Sequence, residues 1–151
     1  MKRERKDKKR EIENYLRHYN SYKVGIANIQ QQLDWILPGV TAVYSADAGS
    51  SGTFNIKSKV EEAVLDRIES KQALDLKEDM EMYKLIVNSI DRAISRLEKN
   101  ERTFVEERYF KLKPMMQVAA VMGYHEKHVH RIRNIVIDKL MIGLSNILKL
   151  D

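Results

Sequence analysis

Lys127, Arg131 and Asn134 follow one another at intervals of four and three residues. On an α-helix that spacing places them on one face. Their side chains are the donors and acceptors that pair with base edges: arginine or lysine with guanine, asparagine with adenine. His130 lies beside them, and Glu126 and His128 belong to the same run. Arg133 and Lys113 fall nearer the flanks, where the phosphates of a bound duplex would pass. Signatures of other chemistry are missing from the sequence. It holds no Gly-rich phosphate loop, nucleophile elbow or paired-acid constellation. His125, His128 and His130 cluster, but there is no cysteine, and His128 and His130 project about 200° apart on a helix, too far to chelate together. The stretch from Glu61 to Glu81 carries eight acidic residues without a histidine among them and reads as a solvated helix face. No catalytic residue, metal site or cofactor is expected.

Such a face must be held outward by something. Val129, Ile132, Val136 and Leu140 recur at three, four and four and supply the buried stripe of a helix beginning near Glu126. Upstream, Pro114 suits the first turn of a short helix that Gly123 ends after Met122. Four positions then stand in the register of a helix-turn-helix. Ala119 is small where the two helices would cross, and Gly123, four residues on, tolerates left-handed backbone. Val129 and Ile132, six and nine residues beyond the glycine, are apolar anchors. A further helix, Glu101 to Lys111, precedes them with Phe104, Val105, Tyr109 and Phe110.

The rest of the chain has a longer rhythm. Ile12, Tyr15, Tyr19, Tyr22, Ile26, Ile29, Leu33 and Ile36 alternate at three and four, a heptad seam that predicts a helix packed lengthwise on another. Pro38-Gly39 is expected to end it, and residues 38–57 to form an irregular connection. Ser58-Lys59-Val60-Glu61 has the form of a capping box, and a second long helix is expected from there. Its seam runs through Leu76, Met80, Tyr83, Val87, Ile90, Ile94 and Leu97. Upstream Val60, Val64 and Ile68 are spaced by four, with a stutter or short break near Ser70. Two seamed helices joined by one connection suggest an antiparallel hairpin, which buries one stripe per helix and needs a third partner, either the C-terminal helices or a second subunit. The first ten residues hold seven basic and two acidic side chains. They read as a frayed, solvated end, with trailing along phosphates as the alternative. The formal net charge is +5. No apolar run approaches the roughly 20 residues of a membrane span, and the charged start is no secretory signal, so a cytoplasmic protein is expected.

The segment from Glu101 to Leu140 resembles the fourth region of bacterial sigma factors, in the pieces Glu101-Arg102…Arg108-Tyr109-Phe110, Gln117 to Tyr124, and His128 to Leu140. It is similar in style to the sigma-like late-gene activators of phages and prophages, the ArpU and RinA type. Two departures stand out: the recognition helix is capped by His125 where the family commonly has serine or threonine, and Lys113-Pro114 precedes the motif's first helix in place of a hydroxyl cap. The resemblance implies transcriptional regulation of phage or prophage genes, with double-stranded promoter or operator DNA and bacterial RNA polymerase as partners. The expected fold is all-α, a long coiled-coil-like helical hairpin over 1–99 followed by a sigma-region-4-like helix-turn-helix domain over 100–151. A homodimer through the long helices is a further expectation. The alternatives are a phage small terminase subunit, a sigma-like module that grips polymerase, and a purely structural coiled coil.

Overall fold

Stretches poor in helix breakers become long helices in the computed structural model, which describes residues 1–45 and 56–149, with side chains for 1–36 and 61–149. Helix α1 spans Lys2–Arg17, α2 Tyr19–Ser45 and α3 Ile56–Ser95. Helix α4, Lys99–Val105, runs into a π-helical turn, Glu106–Phe110. Helices α5, Met115–Met122, and α6, Glu126–Gly143, follow, and a 3-10 turn covers Ile147–Lys149. The described residues include no strand, so the fold is all-α.

Several bounds differ from expectation. The first seamed stretch is two helices, parted at His18 (φ −94°, ψ 5°). There the Asn14 carbonyl takes the His18 N–H at 3.1 Å and also lies 2.7 Å from its ring Nδ1, so one acceptor serves side chain and ladder together. The N-terminus is helical from Lys2. Helix α2 continues through Pro38-Gly39 to Ser45. Proline deletes one donor from the ladder and crowds the preceding turn, which can kink a helix without ending it. Helix α3 begins at Ile56, two residues before the start expected at Ser58. Most of the central part of the expected connection, around residues 46–55, lies outside the described residues.

The contacts divide the chain into one unit of residues 1–23 with 84–151 and a second of residues 24–83. This grouping cuts across the boundary expected at residues 99 and 100, because α1 and the end of α3 bury their apolar stripes against the C-terminal helices. In the first unit Ile12 and Leu16 of α1, Ile86, Ile90 and Leu97 from α3 and its end, Phe104, Val105 and Tyr109, Val118, and Val136, Ile137 and Leu140 of α6 share one core. Leu144 and Ile147 close it. At its far end Gly143 lets α6 approach α3, since a Cβ there would stand 3.3 Å from that of Ala93.

A buried polar cluster ties three elements of this unit. The Glu13 carboxylate accepts from the Tyr109 hydroxyl at 2.8 Å and from Arg133 Nε and Nη2 at 2.8 and 2.6 Å. Burial, then the neighbouring Glu13, raises the Tyr109 pKa. Beside it, Tyr19 stacks on Phe110 at 4.3 Å and its hydroxyl donates to Asp91. Burial and that hydrogen bond push the Tyr19 pKa up to about 12. The π-helical turn brings these rings into place. The Lys111 N–H reaches back five residues to the Glu106 carbonyl. Leu112 then adopts φ 56°, a left-handed conformation that costs a leucine about 1–2 kcal/mol. It is held there by the Lys113 N–H on the Glu107 carbonyl and by Arg108 Nη1 on the Lys113 carbonyl.

In the second unit α2 and α3 run in opposite directions: a Cβ at Gly25 would stand 3.1 Å from the Tyr83 ring, while Leu33 shares a cleft with Ser70, Ala73 and Leu74. Leu33 and Met80 are buried. The phase slip expected near Ser70 leaves the helix unbroken, but the upstream seam is not covered, since Val64 and Ile68 are exposed together with Leu65 and Leu74.

Two outcomes follow for stability. In a double-mutant cycle of Glu13→Gln with Arg133→Met, urea unfolding should return a coupling of about 0.5–3 kcal/mol; strictly additive losses would show that the pair holds nothing. The second concerns alkaline pH. A phenol whose folded pKa is raised lends stability that is complete below its unfolded value near 10 and lost as pH rises through the folded value of about 12. Tyr19→Phe should therefore flatten the fall in unfolding free energy between about pH 10 and 12, and an unchanged slope would contradict the assignment.

Candidate nucleic-acid interface

The outward face of α6 is set by the turn before it. Gly123 takes φ 71° and ψ 26°, and its N–H closes on the Ala119 carbonyl. The next N–H, of Tyr124, bonds the same carbonyl at 3.1 Å. This is the left-handed closure for which the glycine is suited. His125 is then extended and caps α6, its Nδ1 accepting from the Lys127 N–H at 3.3 Å, while its carbonyl receives the Val129 N–H at 3.2 Å. An imidazole thus does what a serine or threonine oxygen would do. Tyr124 steadies the turn from outside: its hydroxyl accepts from Asn100 Nδ2 at 3.0 Å, and its ring meets His128 edge-on at 4.7 Å.

Beneath the turn Ala119, Val129, Ile132, Val136 and Leu140 are all buried, as their register predicts. Ile137 joins them. Glu126, Lys127, His128, His130, Arg131 and Asn134 are exposed on α6. Among the described residues Lys127, Arg131 and Asn134 have no side-chain hydrogen bond or ion pair, whereas His130 Nε2 stands 3.8 Å from Glu126 Oε1 one turn earlier. The structure therefore places seven of the eight expected site residues on α6 and leaves six of them, all but Arg133, exposed.

Arg133 and Lys113 are not among the exposed six. Arg133 is turned toward Glu13, its side chain only 36% exposed. Lys113 Nζ lies 2.5 Å from Glu107 Oε2, and Lys111 holds the other oxygen at 2.7 Å. The hydrogen bond from Lys111, then that from Lys113, holds the Glu107 carboxyl below its usual range. Both cations have partners inside the fold, so neither stands free for a phosphate. The reason is angular: at about 100° per residue Arg133 falls roughly 40° from Val129, on the edge of the buried stripe. Farther along α6, Lys139 reaches Glu101 at 2.5 Å, and Asp138 is paired with Lys9 at 3.0 Å and Arg5 at 3.2 Å. The hydrogen bond from Lys9 lowers the Asp138 pKa.

Lys6 and Arg10, in the basic run for which phosphate contact was the alternative expectation, and Arg17, which sequence reasoning did not single out, are exposed on α1 and spaced by four and seven. The signal was available in that spacing, opposite Ile12. No group of three His, Asp or Glu able to hold a metal occurs among the described residues, and none of their helices is long and apolar enough to cross a membrane. No family model matches the chain, and no curated protein or solved structure matches it either.

Gly123→Ala tests the turn. Nothing lies within 4 Å of a Cβ at this position, so the substitution meets no clash and its cost is that of left-handed backbone alone. Chemical unfolding should show a loss of about 1–2 kcal/mol, with Gly123→Asn losing less; equal stability of the alanine variant and the parent would remove the turn from its role.

Proposed function

We propose that this chain is a sequence-specific double-stranded DNA-binding protein that regulates transcription of phage or prophage genes. Helices α5 and α6 act as a helix-turn-helix of the sigma region-four kind, with α6 as the reading helix. Its first half enters the major groove, and α5 lies across the backbone. Arg131 and Lys127 address guanine, Asn134 addresses adenine, and His128 and His130 lie alongside. The paired helices α2 and α3 form a hairpin that sets oligomeric state, and the two-fold dimer this implies would place half-sites about one duplex turn apart or a multiple of it. Promoter DNA, and RNA polymerase in the bacterial cytosol, are the partners; the function is binding, without catalysis.

One observation carries the proposal. The left-handed turn at Gly123 buries Val129, Ile132 and Val136 and leaves Lys127, Arg131 and Asn134 exposed and unpaired on the opposite face. Cations in a fold rich in ion pairs that find no acid are the groups suited to an outside anion or acceptor. The exposed apolar side chains of the second unit, Trp35 at 84% and Leu65 at 57%, favour self-association through that unit.

Selection of bound sites from random duplex DNA should yield a defined sequence. Against that site, Arg131→Ala should cost about 1–3 kcal/mol of discrimination over unrelated DNA at fixed salt. Failure of the intact chain to enrich any sequence would overturn sequence-specific reading.

A further inference from the structure

The seven basic residues among the first ten lie on a packed helix, so their directions are defined. Helix α1 lies beside α6 and antiparallel to it: Glu13 meets Arg133, while Lys9 and Arg5, earlier in α1, meet Asp138, later in α6. Both helices bury their stripes in the same core, Ile12 and Leu16 from one, Val136, Ile137 and Leu140 from the other. Two helices side by side on one core turn their opposite faces the same way. For α6 that face carries Lys127, Arg131 and Asn134. For α1, at about 100° per residue, Lys6, Arg10 and Arg17 fall within roughly 40° of one another and about 120–160° from Ile12.

These three cations, like Lys2 and Arg3, differ from the paired basic residues of α1. Lys8 is paired with Glu4, and Arg5 and Lys9 with Asp138. Lys6 and Arg10 have no acidic partner among the described residues, and Arg17 lies over the Tyr109 ring at 6.0 Å and donates only to Asn14. Glu13 is the acid nearest the stripe, about 40° around the helix from Arg17, and it is already held by Tyr109 and Arg133; Asp7 lies about 60° from Arg10. From Lys6 to Arg17 the stripe is about 16 Å long, against about 3.4 Å of duplex axis for each phosphate of one strand.

We infer that α1 is a second DNA-contacting element, whose Lys6, Arg10 and Arg17 rest on phosphates bordering the groove that α6 enters. This rests on the duplex-binding reading above. The contacts carry charge and no sequence information, so they set affinity and orientation while α6 sets preference. The Glu13–Arg133 and Lys9–Asp138 pairs position the stripe relative to the reading helix.

The test uses the full chain, a duplex carrying the selected site, and a mixed-sequence duplex of equal length, with affinity measured across a salt series. Lys6→Gln, Arg10→Gln and Arg17→Gln together should weaken binding to both duplexes alike and reduce the slope of log affinity against log salt by about 0.9 for each phosphate that is no longer neutralised. Arg17 covers Tyr109, so the pair Lys6→Gln and Arg10→Gln is measured as well; it leaves that ring covered and should lower the slope by about two such increments. Both variants should keep the parent's thermal midpoint. Lys127→Ala with Arg131→Ala should instead remove the difference between the two duplexes. An unchanged salt slope in both stripe variants, with discrimination still abolished in the α6 variant, overturns the role of α1 and leaves the reading helix in place. A parent chain that binds neither duplex at low salt overturns both.

Discussion

One carboxylate governs the placement of the exposed face. Glu13 lies on the first helix, the Tyr109 hydroxyl on the π-helical turn and the Arg133 guanidinium on the last long helix, and the three meet in a space largely closed to water. Hydrogen bonds to a charged acceptor are worth more than neutral ones, and leaving any member alone would strand a buried polar group. Apolar packing alone tolerates sliding, since leucines and isoleucines are interchangeable contacts at nearly the same energy. Two guanidinium nitrogens and a phenol converging on one carboxylate oxygen do not, because moving α1 by one residue would rotate Glu13 about 100° away from both donors. The cluster therefore supplies register where the core supplies cohesion.

The turn that delivers Tyr109 is strained, and the strain has visible compensation. Leu112 holds a positive φ while largely exposed, with no packing of its own to offset it. What offsets it is the set of bonds on either side: Lys113 N–H to the Glu107 carbonyl, Arg108 to the Lys113 carbonyl, and Lys111 and Lys113 on the Glu107 carboxylate. The extra residue of the π-helical turn shifts the phase between Val105 and Phe110. Tyr109 is fully buried toward Glu13, and Phe110 faces Tyr19. The hydroxyl and the stacked ring thus fix the same turn from two sides.

Which of these features could be read beforehand depended on whether their cause was local. Ala119, Gly123, Val129 and Ile132 occupy the places their spacing assigned, because a glycine-closed turn and a buried stripe are each set within a few residues. The seams Ile12 to Ile36 and Leu76 to Leu97 are buried or half-buried throughout for the same reason. Long-range causes left no such trace. Arg133 looked like a flank residue since its partner, Glu13, stands 120 residues away. Leucine at 112 gives no sign of left-handed backbone, and Pro38-Gly39 gave a false sign of a helix end that α2 does not observe. Val64 and Ile68 kept the period of a seam without anything described to cover them. Periodicity reports what could be buried; the partner decides what is.

The same angular rule separates the charges that hold the fold from those that remain available. Near the buried stripe of α6, water is scarce, and a cation there is tolerated only with an acid beside it, as Arg133 has in Glu13. Opposite the stripe a cation is fully hydrated and needs no partner, so Lys127 and Arg131 persist unpaired at little cost. Their mutual repulsion is damped within about 10 Å by salt at 0.1 M. Approach of a polyanion reverses the balance, since the like charges that weakly oppose one another in water then act together on a single partner. On α6, position around the helix thus separates Arg133, beside the buried stripe, from Lys127 and Arg131 opposite it, while Asp138 on that outer face is taken up by Lys9 and Arg5 of α1.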